Sequence, residues 1–370
     1  MTIDLNYDED KLFIASHWQL IIKRFKKHKL GYISLIFLLI FYFIAFTYEF
    51  WAPYDKNKQH KGFVNSPPSK IYLFDERGDF IGPFVYKTNL KLNLNTFKRE
   101  YIEDKNTFYK INFFTKGDKY YFWGIFETNI HFFNVDEGEI FLLGTDQLGQ
   151  DMFSRILAGS RISLTIGLVG VLITFLLGTL LGGYSGFYGG IVDVVIMRLT
   201  EILGAIPKIP LWIALAAIVP MDWPVILTYF TITIIISTME WTYLARAIRA
   251  KLLELREHDY ILAAKFMGSS DLRIIYDHLL PGYASFLIVN LTLSIPNMIL
   301  AETSLSFLGL GIRPPAVSWG TLLEGAQNIS NIALRPWMLI PAILVIITVL
   351  LFNFVGDGLR DAADPYKEIS

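Results

Sequence analysis

The sequence contains no cysteine among its 370 residues. Disulfides, thiolate metal sites and cysteine nucleophiles are therefore excluded, and any part outside the cytoplasm must fold without covalent crosslinks. Charge is also scarce, since 18% of the residues are Asp, Glu, Lys or Arg, against about a quarter in a typical soluble domain. The net charge of −1 gives no indication of a nucleic-acid partner, and none is expected.

Catalytic and nucleotide-binding motifs are missing as well. The chain has no G-x-x-x-x-G-K-[ST] phosphate-binding loop and no H-E-x-x-H or G-x-S-x-G. The six histidines, at positions 17, 28, 60, 131, 258 and 278, lie outside the long apolar runs. We therefore expect no catalytic residue, no metal ligand and no cofactor-binding residue in this chain.

Apolar residues are abundant, at 53% hydrophobic and 15% aromatic, with a mean hydropathy of +0.42. A helix that spans a bilayer needs about 20 of them in succession. Six runs separated by turn signals favour an α-helical polytopic membrane protein over a soluble protein with buried helices. The predicted spans are 30–52, 162–187, 191–219, 224–244, 283–303 and 336–356. The first is too long for a signal peptide and lacks a cleavage site.

Lys and Arg next to the spans predict the orientation, because cytoplasmic loops carry an excess of both. The segment "KRFKKHK" at 23–29 precedes the first span, and the loop 245–282 follows the fourth. With six spans, both fall on one side together with the C-terminus. The N-terminal segment 1–29, the loop 245–282 and the tail 357–370 are therefore expected to be cytoplasmic.

The first two spans are separated by a long insertion, 53–143, which this orientation makes extracytoplasmic. Short aromatic and β-branched runs, with "DERGD" as a hairpin turn between two of them, predict a mostly β structure. A stabilising role and a role in receiving a partner are both open for it.

Two polar segments flank the apolar runs that follow. "GTDQLGQDMFSRILAGSRISL" (144–164) predicts an interfacial helix with Asp146 as its cap and its arginines at the membrane surface. "ETSLSFLGLGIRPPAVSWGTLLEGAQN" (302–328) is too apolar for a free loop and too broken for a span. Such a segment is tolerated at membrane depth only when it is buried in protein or lines water.

The third span carries four charged residues within an arc of its helical face: Asp193, Arg198, Glu201 and Lys208. Charges inside a span usually face a bundle interior or a cavity, so one interpretation is a polar stripe along a translocation path or a partner subunit. The other is mutual pairing, since Arg198 and Glu201 are three residues apart. Pro207 and Pro210 should kink this helix.

The loop 245–282 predicts a helix–turn–helix on the cytoplasmic face. A helix over 245–264 should end at Gly268, which tolerates a positive φ. Ser269–Asp271 then offer capping side chains for a second helix. Pro281 and Gly282 direct the chain into the fifth span. From the residues alone, a docking element and a simple connector are both open.

Four segments resemble the oligopeptide/dipeptide branch (C-type subunit) of ABC importer membrane permeases. The cytoplasmic signature of that family is E-A-A, three residues, G, nine residues, I-x-L-P. Here "AAKFMG" and "HLLP" have that spacing, with Leu262 in place of Glu and His278 in place of Ile. "LGTDQLGQDMFSRILAGSRISL", "SLSFLGLGIRPPAVSWG" and "GDGLRDAADP" are similar to further segments of the branch. The insertion departs from its commonest short form.

The resemblance implies the type I ABC importer fold and a permease subunit in the cell membrane. It implies a heterodimer with a homologous permease, two cytoplasmic ATPases that bind ATP and Mg, and an extracytoplasmic substrate-binding protein. Oligopeptides or dipeptides are the implied solutes, with oligosaccharides or nickel complexes as alternatives. The ATPase-docking residues would be Ala263, Ala264, Lys265, Met267, Gly268 and Ser269. The shape of the coupling loop would depend on His278, Leu280 and Pro281.

A stand-alone secondary carrier is the competing class of function. Six spans are few for such a carrier, and no inverted repeat is evident in the sequence. A carrier would transport without ATP, driven by an ion gradient. The requirement for separate ATPases therefore distinguishes the two hypotheses.

Overall fold

A computed structural model describes residues 17–93 and 98–364, and in these ranges the chain is a helical bundle with a β-sheet at one end. Residues 1–16 of the predicted N-terminal segment and residues 365–370 of the predicted C-terminal tail lie outside the described part. The helices are α1 (His17–Lys27), α2 (Lys29–Phe46), α3 (Tyr48–Trp51), α4 (Met152–Tyr188), α5 (Gly190–Ala205), α6 (Lys208–Ala217), α7 (Val225–Leu255), α8 (Asp259–Phe266), α9 (Asp271–Arg273), α10 (Leu280–Phe307), α11 (Trp319–Glu324), α12 (Ile329–Leu334) and α13 (Ile340–Ala363).

Five helices of the described residues are long and apolar enough to cross a membrane: α2, α4, α7, α10 and the segment Pro336–Ala363 that contains α13. They correspond to five of the six predicted spans. Several are longer than predicted, because α4 includes most of the segment expected to be a separate interfacial helix and α7 continues to Leu255. The single helix predicted over 245–264 is wrong, since the chain leaves the helix after Leu255 and α8 begins at Asp259, after an extended His258. The charged first turns of α4 are tolerated in one helix because Arg155 pairs with Asp146, and Arg161 pairs with Glu49 at 2.6 Å.

The third predicted span is the exception, since a single helix over 191–219 is wrong. The chain forms α5 and α6, with a break at Ile206 and Pro207, where the backbone is extended. Proline has no N–H to donate to the preceding turn. The kink expected at Pro207 is therefore a complete interruption, and each of the two helices is shorter than a typical span.

The insertion is β-structured, as predicted. Four antiparallel strands lie in sequence order: β1 (Tyr72–Phe74), β2 (Phe80–Asn93), β3 (Lys98–Phe122) and β4 (Phe126–Val135). The turn predicted at "DERGD" is present, with Gly78 at φ 86° and the Asp75 N–H bonded to the Asp79 carbonyl at 3.0 Å. The sheet has its own apolar core, which includes Val85, Ile111 and Phe141.

Residues 259–279, which comprise α8, the turn at Gly268 and the helical segment that begins with α9, are called the α8 hairpin below. The sheet and the α8 hairpin lie at opposite ends of α4. The Tyr54 N–H donates to Ser154 Oγ at 3.3 Å in the first turn of α4, whereas Lys265 lies 5.6 Å from the ring centroid of Phe187 in its last turn. A helix of 37 residues is about 55 Å long. The two elements are therefore separated by more than the hydrocarbon thickness of a bilayer, about 30 Å.

Both described chain ends lie at the α8 end of the bundle. Arg24 of α1 donates to the Asp364 carbonyl at 2.7 Å, so the first and last helices meet. The opposite end of α2 contacts the first turns of α4, where Arg161 donates to the Phe46 carbonyl at 2.8 Å. The sequence did not predict α1, whose Ile21 and Phe25 are buried in the bundle core.

Candidate functional site: the α8 hairpin and the segment after α10

The helix α8 is held by one face in the core of the bundle. Ile261 is fully buried and Ala264 is 2% exposed, and both pack with Leu252 of α7 and Tyr283 of α10. A fluctuation of α8 is therefore resisted by the ends of two long helices at once. The arrangement can transmit a push on α8 to both helices, as rigid-body coupling requires.

The opposite face of α8 is exposed. Phe266 is 91% exposed and Met267 is 78% exposed, at the very tip of the hairpin. Large apolar side chains at such exposure are typical of a surface that another protein covers. Of the six predicted docking residues, Ala263, Lys265, Met267 and Gly268 are exposed and Ser269 is half-buried, but Ala264 faces the protein's own core. Its small side chain allows α8 to pack closely there.

Phe266 was not among the predicted docking residues, although it is the most exposed large apolar side chain of the hairpin. The sequence contains the signal that identifies it. At 100° per residue, Phe266 points away from the direction shared by Ile261 and Ala264. An aromatic residue on the polar side of a short helix is the expected anchor of an interface.

Gly268 ends α8 as predicted, with φ at 79°. The Ser269 N–H bonds back to the Ala264 carbonyl at 3.1 Å, and the Gly268 N–H to Lys265 at 3.0 Å. A residue with a side chain is strained in this left-handed region. The predicted capping by Ser269–Asp271 is absent, because Ser270 occupies the N-cap position without a side-chain hydrogen bond.

The second helix of the hairpin is continuous with the fifth span. After α9, residues Ile274–Leu279 form a π-helical turn and lead directly into α10. Proline at position 281 cannot donate a backbone hydrogen bond, and local π-helical adjustments are one way in which membrane helices accommodate a proline. His278 is half-buried in this turn, whereas the side chains of Leu280 and Pro281 lie outside the described part of the structure.

The four charges of the third predicted span do not form one network. Arg249 of α7 donates two hydrogen bonds to Asp193, one of them 2.5 Å from Nη2 to Oδ2. Arg198 and Glu201 pair with each other at 2.7 Å, as the mutual-pairing interpretation expects. Lys208, on the separate helix α6, reaches Glu240 of α7 at 2.6 Å. A pore-facing stripe made of these residues stays a prediction.

A buried carboxylate that the sequence did not single out organises the segment after α10. Glu302 is fully buried. Its Oε1 accepts from Ser306 at 2.7 Å and its Oε2 from Ser163 of α4 at 3.2 Å. The helix α10 runs on to Phe307, so Glu302 lies within it, and the helix ends four residues beyond the end predicted for the fifth span, at 303.

Each serine also accepts a backbone N–H from the segment that follows. The Ile312 N–H donates to Ser306 Oγ at 2.9 Å, and the Trp319 N–H donates to Ser163 Oγ at 3.0 Å. A hydroxyl can donate one bond and accept two, so each serine links the carboxylate to one backbone group. The two anchored parts of the segment, at Ile312 and at residues 316–319, are buried in protein, as a non-helical stretch at the end of a span requires.

Glycines let this segment approach the two helices closely. A Cβ on Gly320 would lie 2.6 Å from Ser306 Cβ and 2.8 Å from the Thr303 carbonyl oxygen. A Cβ on Gly159 would lie 3.2 Å from the Ser318 carbonyl carbon. Glu302 and these contacts together fix the position of the segment on α4 and α10.

Near the first turn of α4 and the last turn of α11, polar side chains line a cavity of about 440 Å³ next to this segment. They include Asp146, Arg155, Gln327 and Asn331. Asp146, which was predicted to cap α4, instead accepts from Arg155 and from the backbone of Leu148 and Gln150. The cap of α4 is Asp151, whose side chain accepts from the Ser154 N–H at 2.8 Å.

These features define a multi-pass membrane subunit with an exposed apolar hairpin at one end of α4 and a four-stranded sheet at the other. Residues 175–368 match the family described as "Binding-protein-dependent transport system inner membrane component". The chain belongs to this family, and it is therefore the non-catalytic membrane component of a binding-protein-dependent ABC transporter. Residues 16–68 match the "N-terminal TM domain of oligopeptide transport permease C", which confirms the predicted C-type branch.

Curated relatives agree with this assignment. The chain is 38% identical to the oligopeptide transport system permease protein OppC of Bacillus subtilis, over 60% of this chain and 70% of that protein. It is 38% identical to the dipeptide permease DppC of the same organism (60% and 68%). It is 41% identical to the glutathione permease GsiD of Pectobacterium atrosepticum (60% and 72%). A solved structure of the MetNI methionine ABC transporter aligns at a TM-score of 0.48 and 20% identity, over 57% of this chain and 97% of that chain.

Proposed function

We propose that this chain forms half of the translocation pore of an ATP-driven importer for oligopeptides or dipeptides. The similarity to permeases named for oligopeptides, dipeptides and glutathione supports this class of solute. The other half of the pore is a homologous permease subunit. Two ATPase subunits bind ATP and Mg on the cytoplasmic side, and an extracytoplasmic binding protein delivers the solute.

The observation that carries the proposal is the two-sided character of α8. Its buried face joins the ends of α7 and α10, while Phe266 and Met267 project from the bundle. We propose that an ATPase covers this projecting face, with Ala263, Lys265, Gly268 and Ser269 at the rim of the contact. Closure of the two ATPases then moves α8, and with it the long helices that line the path.

In this proposal the α8 end faces the cytoplasm together with both termini, and the sheet faces outward. The meeting of Arg24 with the Asp364 carbonyl supports a common side for the termini. Asp193, Arg198, Glu201 and Lys208 remain possible contributors to a polar path. Because Asp193 and Lys208 are paired with α7 in this state, they would have to exchange partners to face a solute.

The test replaces the two exposed side chains at the tip of α8. Loss of an anchor residue from a protein interface costs about 2 kcal/mol or more, a reduction in affinity of roughly 30-fold. The variant Phe266→Ala/Met267→Ala should lose the ATPases on purification and lose ATP-driven peptide uptake in proteoliposomes with the binding protein.

Ile191→Ala is the control. Ile191, like Phe266 and Met267, is a largely exposed apolar residue (83%), and it begins α5 just beyond the end of α4 that lies next to α8. This variant should retain both the ATPases and uptake. Normal uptake by the double variant would refute the docking surface. Uptake by the chain without ATPases, driven by an ion gradient, would instead indicate a secondary carrier. Competition among peptides, oligosaccharides and nickel complexes identifies the solute.

A further inference from the structure

The tip of the β3–β4 hairpin exposes a cluster of large apolar side chains. The exposed fractions are 60% for Tyr121, 56% for Trp123, 68% for Ile125 and 66% for Phe126. The flanking strands carry charged residues, among them the ion pair between Lys119 and Glu127 at 2.8 Å. Four exposed large apolar side chains at the end of one hairpin indicate a contact with an apolar surface.

The turn at this tip is built around a tryptophan in an unfavourable backbone conformation. Trp123 has φ at 54° and Gly124 has φ at 72°. The left-handed conformation costs a residue with a side chain roughly 1–2 kcal/mol, and Gly or Asn would occupy this position more easily. The presence of Trp there indicates that its side chain is needed at this point.

A hydrogen bond places the tip at the end of a membrane span. Trp123 Nε1 donates to the carbonyl oxygen of Phe46, the last residue of α2, at 2.6 Å. The same carbonyl accepts from Arg161 at 2.8 Å, and Arg161 pairs with Glu49 at 2.6 Å. A charged pair is stable at the boundary between hydrocarbon and headgroups but costly deeper in the membrane. The tip therefore lies at that boundary.

The apolar surface of the tip continues along the outer face of α2. Phe43 and Leu39, one and two turns below Phe46, are each 60% exposed, as side chains in contact with lipid are. Trp and Tyr are enriched at the level of the headgroups, where an apolar ring and one polar group are both satisfied. The indole of Trp123 has this arrangement, with its N–H bonded and its ring exposed.

We propose that the β3–β4 tip is a membrane anchor, which inserts Trp123, Ile125 and Phe126 into the interfacial layer of the outer leaflet. The sheet is then held at two points. Its base packs on α4, where the ring centroids of Phe133 and Phe153 lie 5.8 Å apart, and its tip is held by lipid. This fixes the tilt of the sheet relative to the spans, and so the shape of the surface presented outside the membrane.

The absence of cysteine allows a direct test. An NBD fluorophore is attached to a single cysteine at the tip, Ile125→Cys, in the assembled transporter in phosphatidylcholine nanodiscs. Phe126→Cys provides a second tip position in case the first label disturbs the turn. Arg77→Cys, in the exposed and charged β1–β2 turn, is the matched reference.

The expected result at both tip positions is blue-shifted emission that brominated phosphatidylcholine quenches and aqueous iodide does not. The label at position 77 should show the reverse. Quenching of the tip labels by iodide alone would place the tip in water and overturn the proposal. Protection from both quenchers would mean that protein covers the tip, which would overturn it equally.

Discussion

At the scale of single residues, Glu302 is the side chain on which most of the segment after α10 depends. Its carboxylate accepts from Ser163 and Ser306, which in turn hold the N–H groups of Trp319 and Ile312. Glu302→Ala leaves two buried hydroxyls without an acceptor, and each unsatisfied polar group costs about 1–3 kcal/mol. We expect a lower unfolding temperature and faster amide exchange at residues 312 and 319.

Glu302→Gln keeps one acceptor oxygen and the volume of the side chain, so its effect should be smaller. Ser304→Ala is the matched control on the same helix, because Ser304 is exposed and its hydroxyl donates to the Leu300 carbonyl of its own helix. Its stability should change by no more than about 0.5 kcal/mol. Unchanged amide exchange at 312 and 319 in Glu302→Ala would show that the carboxylate does not position the segment.

Asp151, the cap of α4, should make stability depend on pH. Burial raises the pKa of Asp151 to about 6, although hydrogen bonds from Ser154 and the nearby His60 oppose the shift. A carboxyl with a raised pKa in the folded state stabilises the fold below its ordinary pKa. That contribution is lost as the pH rises from about 4 through about 6.

Asp151→Asn removes this titration and keeps a side-chain oxygen for the cap. The difference in unfolding free energy between the parent protein and the variant should decrease by up to roughly 3 kcal/mol between pH 4 and pH 7. Thermal unfolding of the detergent-purified transporter over this pH range measures it. A difference that stays constant with pH would contradict the assignment.

At the scale of elements, the pairing of charges decides how α5 is attached. Asp193 joins α5 to α7 through Arg249, with side chains 18% and 31% exposed, whereas Arg198 and Glu201 are 74% and 57% exposed and lie on one helix. Exposed pairs contribute about 0.2–1 kcal/mol. The coupling energy of Asp193 with Arg249 should exceed about 1 kcal/mol, because two hydrogen bonds in a partly buried setting join separate helices.

Double-mutant cycles on thermal unfolding measure both couplings, with alanine at each position. The Arg198–Glu201 cycle is the internal control, since it also pairs an arginine with a carboxylate but lies within α5 alone. Equal coupling energies in the two cycles would mean that α5 is not attached to α7 by its aspartate.

At the scale of the whole molecule, the separation of the sheet from α8 by the length of α4 predicts opposite sides of the membrane. Single cysteines at Arg77→Cys and Met267→Cys are each the only thiol of the chain. In right-side-out vesicles that hold this chain without its ATPases, an impermeant maleimide should label position 77 at once and position 267 only after permeabilisation. Labelling of both positions in sealed vesicles would contradict the proposed orientation.

Local patterns in the sequence were sufficient to predict most of the architecture. The spans follow from runs of apolar residues, since the bilayer requires about 20 in succession. The β insertion follows from its aromatic and β-branched runs with the turn at "DERGD". Gly268 as the end of α8 follows from the conformational freedom of glycine, and the spacing from Ala263 to Pro281 indicated the family together with three further segments.

Only the tertiary structure decided which distant residues meet. Asp193 with Arg249, Lys208 with Glu240, and Glu302 with Ser163 are pairs far apart in the chain, and no local pattern specifies them. The buried face of α8 was likewise decided by α7 and α10, so Ala264 lies in the core and Phe266 outside. Apolar length and turn chemistry are local properties that a sequence states directly, whereas partners and burial depend on how the helices pack.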